Sequence, residues 1–174
     1  AKLDAQAGAD PQSRIQASFT AHGIALGKET PPPPFAQSIA ATLEGTRAAH
    51  TLRLDAQMTK DSRLELALAG GLDPRAPRLA WNGRVDSLAL GGPGSFALVS
   101  PVVLTASPGR VELGDATLRG GWGEARLRVT RWTPTTLDVQ GTTPGVEIRT
   151  LARSLRLGNA PRSNLVVAGS WNVH

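Results

Sequence analysis

Apolar and polar residues alternate along much of this 174-residue chain. Leu52, Leu54, Ala56 and Met58 interleave with Arg53, Asp55 and Gln57, and Leu64, Leu66 and Leu68 with Arg63, Glu65 and Ala67. Leu127 and Val129 do the same with Arg126, Arg128 and Thr130, and Leu137 and Val139 with Asp138 and Gln140. Successive side chains of a strand point to opposite faces, so each segment carries one apolar face and one wet face. That is the signature of antiparallel strands, since a parallel strand covered on both sides reads as a continuous apolar run. Leu and Ala are helix formers, yet a helix would scatter these positions around its axis, so the pattern outranks propensity.

The punctuation agrees. Gly70-Gly71, Asp73-Pro74, Gly91-Gly92-Pro93-Gly94, Ser107-Pro108-Gly109, Gly120-Gly121, Thr133-Pro134 and Thr143-Pro144-Gly145 recur at the spacing of short strands. Strands are predicted near 2–7, 14–20, 37–44, 49–58, 62–70, 80–90, 95–99, 101–106, 109–113, 116–120, 123–131, 135–141 and 164–173. Val146, Ile148, Leu151, Ala152 and Leu155 are spaced for a helix face instead, which predicts a short helix within 147–155. Pro31–Pro34 favours polyproline II and reads as a connector between Gly27 and Phe35. Both ends are strand-like, Lys2–Ala7 at one and Val166–Val173 at the other, which leads us to expect one internal slice of a longer β structure. Trp81-Asn82-Gly83 and Trp171-Asn172 echo each other about 90 residues apart, as modular repeats do.

Composition narrows the chemistry. Only 4% of residues are aromatic and Tyr is missing, so Leu, Val and Ala must fill any interior. There are no cysteines, which excludes disulfides, thiolate metal sites and cysteine nucleophiles. No run approaches the ~20 apolar residues of a membrane-spanning helix, and no charged segment followed by an apolar one predicts a cleavable signal peptide. The net charge is +5 and the pI about 10.9, a balance that can signal nucleic acid. Its distribution argues otherwise. The arginines stand singly in alternating segments, interleaved with Asp55, Glu65, Asp86 and Glu124, with no basic block and no aromatic-basic stacking pattern.

A catalytic constellation is not visible. His22 precedes Gly23 in an expected turn, His50 opens a strand, and His174 ends the chain and need not be native; none has metal-ligand spacing. The glycine clusters lack the spacing and following helix of a phosphate loop, and no Gly-x-Ser-x-Gly elbow occurs. Asp73, Asp115 and Glu112 are solitary carboxylates near turns. Neither enzyme nor cofactor is expected. What remains is aliphatic strand face in quantity, which serves either a packed β core or a groove with an outside occupant.

The order of segments resembles the TamB family of translocation and assembly module subunits. The resemblance runs through Leu52–Gln57, Leu64–Leu72, Trp81–Leu88, Phe96–Pro101, Val111–Leu113, Asp115–Leu118, Arg126–Val129, Leu137–Gly141, Val146–Leu155 and Leu165–Trp171. It covers most of 45–174 and is looser over 1–44. It implies a curved, mostly antiparallel all-β sheet folded like a taco shell around a hydrophobic groove, related to AsmA-like and bridge-like lipid-transfer proteins. It further implies a periplasmic location in a Gram-negative protein anchored in the inner membrane, a TamA-like outer-membrane barrel as partner, and phospholipid transport in outer-membrane assembly. On this expectation Leu52, Leu54, Leu64, Leu66, Leu68, Val111, Leu113, Leu127, Val129, Leu137 and Val139 line the groove toward phospholipid acyl chains. Trp81 and Trp171 close unit boundaries by packing, and raw strand edges invite self-association. The competing expectation is a structural or adhesive β-repeat segment of a secreted protein with a closed core.

Overall fold

Thirteen strands form one antiparallel sheet in the computed structural model, which describes residues 1–7, 12–25, 34–59, 61–76, 78–154 and 165–173. The strands are β1 (Lys2–Ala7), β2 (Arg14–Ala25), β3 (Pro34–Thr46), β4 (His50–Thr59), β5 (Ser62–Leu72), β6 (Trp81–Gly91) and β7 (Phe96–Leu98). They continue as β8 (Val102–Ser107), β9 (Arg110–Leu113), β10 (Ala116–Gly120), β11 (Gly123–Trp132), β12 (Leu137–Glu147) and, after the helix α1 (Ile148–Ser154), β13 (Val166–Val173). The expected all-β class, strand order and single short helix are all present.

From β1 to β6 the chain meanders, each strand pairing with the next. Then the path forks. One end of β6 pairs with β7, which pairs with β10 and so reaches the first half of β11; the other end pairs with β8, which pairs with β9 and reaches the last residues of β11. The chain crosses between the two tracks at 99–101 and at 114–115. Val85, Val102 and Ala116, at 6%, 3% and 3% exposure, pack where the tracks meet.

Several expected turns lie inside strands. β2 runs through His22-Gly23: the glycine takes a φ of 62°, which a side chain would strain, and the ladder resumes at Ile24 opposite Ala36. β5 runs through Gly70-Gly71 to Leu72. β12 runs through Thr143-Pro144-Gly145, where a register shift accommodates the residue that has no N–H to donate. Of the expected proline connector, Pro34 opens β3 and 31–33 lie outside the described residues, as does His174.

The described strands all belong to this one sheet. Among the described residues, extensive contacts between strands are all between hydrogen-bonded neighbours, and α1 touches β12. The buried apolar residues are accordingly small and few: Ile15, Ala21, Ala36, Ala56, Val85, Val102, Ala116, Val146 and Ala152, with no large side chain fully enclosed.

Candidate functional site

Directly paired residues of an antiparallel ladder share a face, so the register sorts the side chains. One row runs Ala41, Leu54, Leu66, Leu88 across β3 to β6. A second runs Ala17, Leu43, Leu52, Leu68, Val85, Val102. A third runs Gly83, Leu104, Leu113, Thr130, Val139, Val173. These rows share one face, and the apolar surface is continuous from β2 to β13.

Keeping that face apolar across β6 requires a bulge. Trp81, Gly83 and Val85 occupy odd positions, but Leu88 and Leu90 even ones; the register shift between Ala67 and Leu68 on β5 lets β6 accommodate one extra residue and carries both sets to the same side. A second shift between Leu127 and Val129 does likewise on β11, bringing Thr130 and Trp132 opposite Val139 and Leu137.

Of the expected lining residues, Leu52, Leu54, Leu64, Leu66, Leu68, Val111, Leu113, Leu127, Leu137 and Val139 all fall on this face. Val129 pairs with Gln140, out of step with Leu127, and its side chain lies outside the described residues. Leu137 is 46% exposed and its cross-strand neighbour Trp132 61% exposed; the other expected lining side chains described are half-buried. Ile15, Phe19, Leu43, Val85, Phe96, Leu98, Val102 and Leu104 belong to the same surface beyond the alternating segments: Phe96, Leu98, Val102 and Leu104 sit in short strands and Val85 beside a break in parity, while Ile15, Phe19 and Leu43 alternate with small residues as often as with polar ones.

Alanines on the two faces show which way the sheet curls. Ala21, Ala56 and Ala116 on the apolar face are 5%, 1% and 3% exposed, whereas Ala40 and Ala97 on the opposite face are exposed. With the described strands all in one sheet, the concealment comes from larger neighbours drawn together as the sheet bends toward its apolar side. The result is a trough crossed by the strands, with its axis along the sheet. Its path runs over eleven strands, so ten spacings separate its ends, about 48 Å at ~4.8 Å each. A hollow of about 680 Å³ lies on the polar face, along the paired row Glu44, Thr51, Ala69, Arg84 and Val103.

Tryptophans fill the glycine gaps of the sheet. A Cβ at Gly70 or Gly83 would overlap the Trp81 ring, one at Gly141 the Trp171 ring, and one at Gly120 the Trp122 ring. Each indole thus covers bare backbone that water would otherwise reach, a pairing used to stabilise glycine in sheets. The Trp81 Nε1–H also donates to His50 Nε2 at 2.8 Å, while His50 Nδ1 lies 3.0 Å from the Thr46 carbonyl oxygen. A carbonyl only accepts, so Nδ1 carries the proton and the ring is the neutral Nδ1–H tautomer.

Charges are confined to the other face; among the described residues no polar or charged residue is buried. Asp55 and Glu65 stand directly opposite each other, an unfavourable like-charge pair that Arg63 bridges. Glu112 lies between Arg110 and Arg131, tying β9 to β11, and Glu124 between Arg119 and Arg126, tying β10 to β11. The hydrogen bonds from these guanidinium groups, Arg110 first at Glu112 and Arg119 first at Glu124, hold both carboxyls below the usual value of 4.5. Both forks of the sheet are therefore pinned to β11 by an Arg–Glu–Arg cluster. No group of three or more His, Asp and Glu side chains among the described residues is arranged to hold a metal ion.

No helix of the described residues is long and apolar enough to cross a membrane. Comparison with protein-family models, with curated proteins and with solved structures finds no match to this chain.

Proposed function

We propose that this chain is a non-catalytic, hydrocarbon-binding trough of the TamB-like kind, conducting phospholipid acyl chains along its apolar face between membranes in support of outer-membrane assembly. The observation that carries the reading is the incompletely buried apolar face: half-buried leucines and valines run across the sheet, and among the described residues no large side chain is fully enclosed. A closed structural or adhesive repeat needs two such faces to meet. Burying a methylene is worth ~0.8 kcal/mol, so an acyl chain of ~14 methylenes resists full exposure to water by roughly 11 kcal/mol. A passage between membranes has to offer aliphatic wall without interruption, and rows repeating every ~4.8 Å supply it. The scarcity of aromatic side chains suits a guest that slides, since flat rings in fitted pockets would hold it in place. On this reading the segment works in the periplasm within a longer protein anchored in the inner membrane, with a TamA-like barrel at the outer membrane.

The test is lipid content. The purified chain should carry phospholipid that mass spectrometry detects after organic extraction, and should take up a fluorescent fatty acid with saturable intensity. A folded chain that is lipid-free and takes up no fatty acid would overturn the proposal.

A further inference from the structure

Across β3 to β6 one row of the apolar face reads Gly45, His50, Gly70, Gly83. Three of its four members have no side chain, so two rings supply the wall there. The Trp81 indole lies over Gly70 and Gly83, where its benzo edge takes the space of their absent Cβ atoms. The His50 imidazole stands beside it, with ring centroids 6.2 Å apart and planes tilted by 42°. The indole is held in place by the bond from its Nε1–H to His50 Nε2 at 2.8 Å, and the imidazole by the bond from its Nδ1–H to the Thr46 carbonyl oxygen at 3.0 Å.

This chain of bonds exists only with a neutral imidazole. An imidazolium carries N–H at both positions and accepts nothing, so a proton added at Nε2 sets two donors head to head. The indole cannot compensate from where it lies. It shows His50 its N–H edge, the electropositive rim of the ring, whereas a cation is drawn to the face. To offer that face the indole has to turn, and turning lifts it off the glycines. Histidine is the side chain that ordinarily changes charge between pH 5 and 8. Among the described residues, β3 offers His50 Leu43 and Gly45 on this face, β5 Leu68 and Gly70, and β6 Trp81 and Gly83, none of them ionisable. Glu44 and Arg84 lie on the opposite face, Arg47 in the β3–β4 turn and Asp73 in the β5–β6 loop.

We propose that His50 and Trp81 form an acid-released latch in the trough wall. With a neutral imidazole the indole is held over Gly70 and Gly83 and the row is closed; with an imidazolium the indole turns away and leaves a charged break. The latch stands on the hydrogen-bond geometry. Its consequence for a guest rests on the hydrocarbon-trough reading: an acyl chain crossing this row at low pH loses apolar contact and meets a cation.

The test follows the Trp81 indole N–H resonance, assigned by its loss in W81F, between pH 8 and pH 5 in the wild-type chain, H50Q and H22Q. Glutamine at position 50 keeps an oxygen for the indole N–H and takes up no proton in this range. His22, on the opposite face and paired with Ser38, is the control. In the wild type and H22Q the resonance should move with the same midpoint as the His50 Nε2 nitrogen. The indole hydrogen should also exchange roughly tenfold faster at pH 5 than at pH 8 once the intrinsic rate is divided out, the loss of one hydrogen bond. H50Q should show neither change. An indole indifferent to pH, an equal response in H50Q, or different midpoints for the two rings overturns the latch; the wild-type midpoints decide it where H50Q does not fold. Uptake of a fluorescent diacylglycerol, a probe with no titratable group, should be about fourfold weaker at pH 5 than at pH 8 in the wild type, the burial of roughly one methylene, and unchanged by pH in H50Q. Uptake that ignores pH while the indole moves overturns the effect on a guest. No uptake at either pH overturns the trough reading, and the resonances then judge the latch alone.

Discussion

Replacing Leu66 by Gln separates an open trough from a packed core by the size of the penalty. Leu66 pairs with Leu54 and Leu88 at the middle of the apolar face and is half-buried. Full burial of a leucine is worth roughly 1.5–3 kcal/mol. Were another layer seated on Leu66, the substitution would forfeit all of that and leave an amide without partners, at about 1–3 kcal/mol more. The sum, roughly 3–6 kcal/mol, rivals the whole stability of many domains. In an open trough the amide keeps its water and only the leucine's partial burial is lost, about 1 kcal/mol.

The assay is urea unfolding followed by circular dichroism. With a slope of about 2 kcal/mol per molar, the open trough gives a midpoint shift of about 0.5 M and the packed core one of about 2 M or no folded protein. Fatty-acid uptake is measured on the same samples. A guest crossing the Leu54–Leu66–Leu88 row forfeits the burial of about two methylenes per polar residue introduced, about 3.2 kcal/mol for the pair, so L54Q/L66Q should bind roughly 200-fold more weakly. A shift of 2 M for L66Q, or unchanged uptake in the double variant, refutes the reasoning, because either result means that this face is not where a guest lies.

Three other outcomes follow from particular interactions. Trp81→Phe and His50→Ala each remove the indole–imidazole hydrogen bond and should cost about 1 kcal/mol apiece; a double-mutant cycle should show them strongly non-additive, and additive losses would deny that the bond forms. Gly141→Ala pushes against the Trp171 ring and should destabilise by about 1 kcal/mol, but be close to neutral in a Trp171→Ala background; equal effects in both backgrounds would show that the ring does not cover that glycine. Glu112 and Glu124 have their folded-state values lowered by arginine, so the stability they contribute is complete above the unfolded carboxylate value near 4.3 and is lost as pH falls through the folded value. The thermal midpoint of E112Q/E124Q should therefore fall less between pH 5 and pH 3 than that of the parent, by an amount that shrinks with added salt because both carboxylates are solvated.

Strands such as β4 and β5 are legible because nothing interrupts their alternation from Leu52 to Met58 and from Leu64 to Leu68. Turn chemistry misleads where the ladder continues past it: Gly23 and Pro144 are strong local breakers, yet pairing with β3 carries β2 past the one and pairing with β11 and β13 carries β12 past the other. Face assignment fails at Val85–Leu88 and at Leu127–Thr130 for a different reason. A bulge adds one residue, and a period-two count then assigns everything beyond it to the wrong side until the register is known. The fork is invisible in sequence because it joins β6 to β11 through strands as short as Phe96–Leu98, paired across long separations. Nor does alternation distinguish a covered face from an uncovered one, since the residue pattern is the same in both.

That last ambiguity has an energetic side. Among its described residues the chain buries nine apolar side chains, mostly alanine and valine, and so has placed little of their hydrophobic content inside itself. The larger aliphatic side chains are half-covered on one face, and on the proposed reading a hydrocarbon guest that covers them would complete the burial. Cargo and core are then the same thing. Such a guest stabilises the sheet by mass action, about 2.7 kcal/mol at a hundred times its dissociation constant, yet it need not be held at any one point. Shifting it by one strand trades Leu54 and Leu52 for Leu66 and Leu68, side chains of the same size in the same rows. Each leucine uncovered behind the guest is matched by one covered ahead of it, so the surface can be sticky over its whole length and still slippery along it. Bulky aromatic side chains would spoil that equivalence in mid-trough. Trp81 and Trp171 stand on this same face, each over glycine backbone that offers no side chain of its own, so each ring fills a gap in the aliphatic rows.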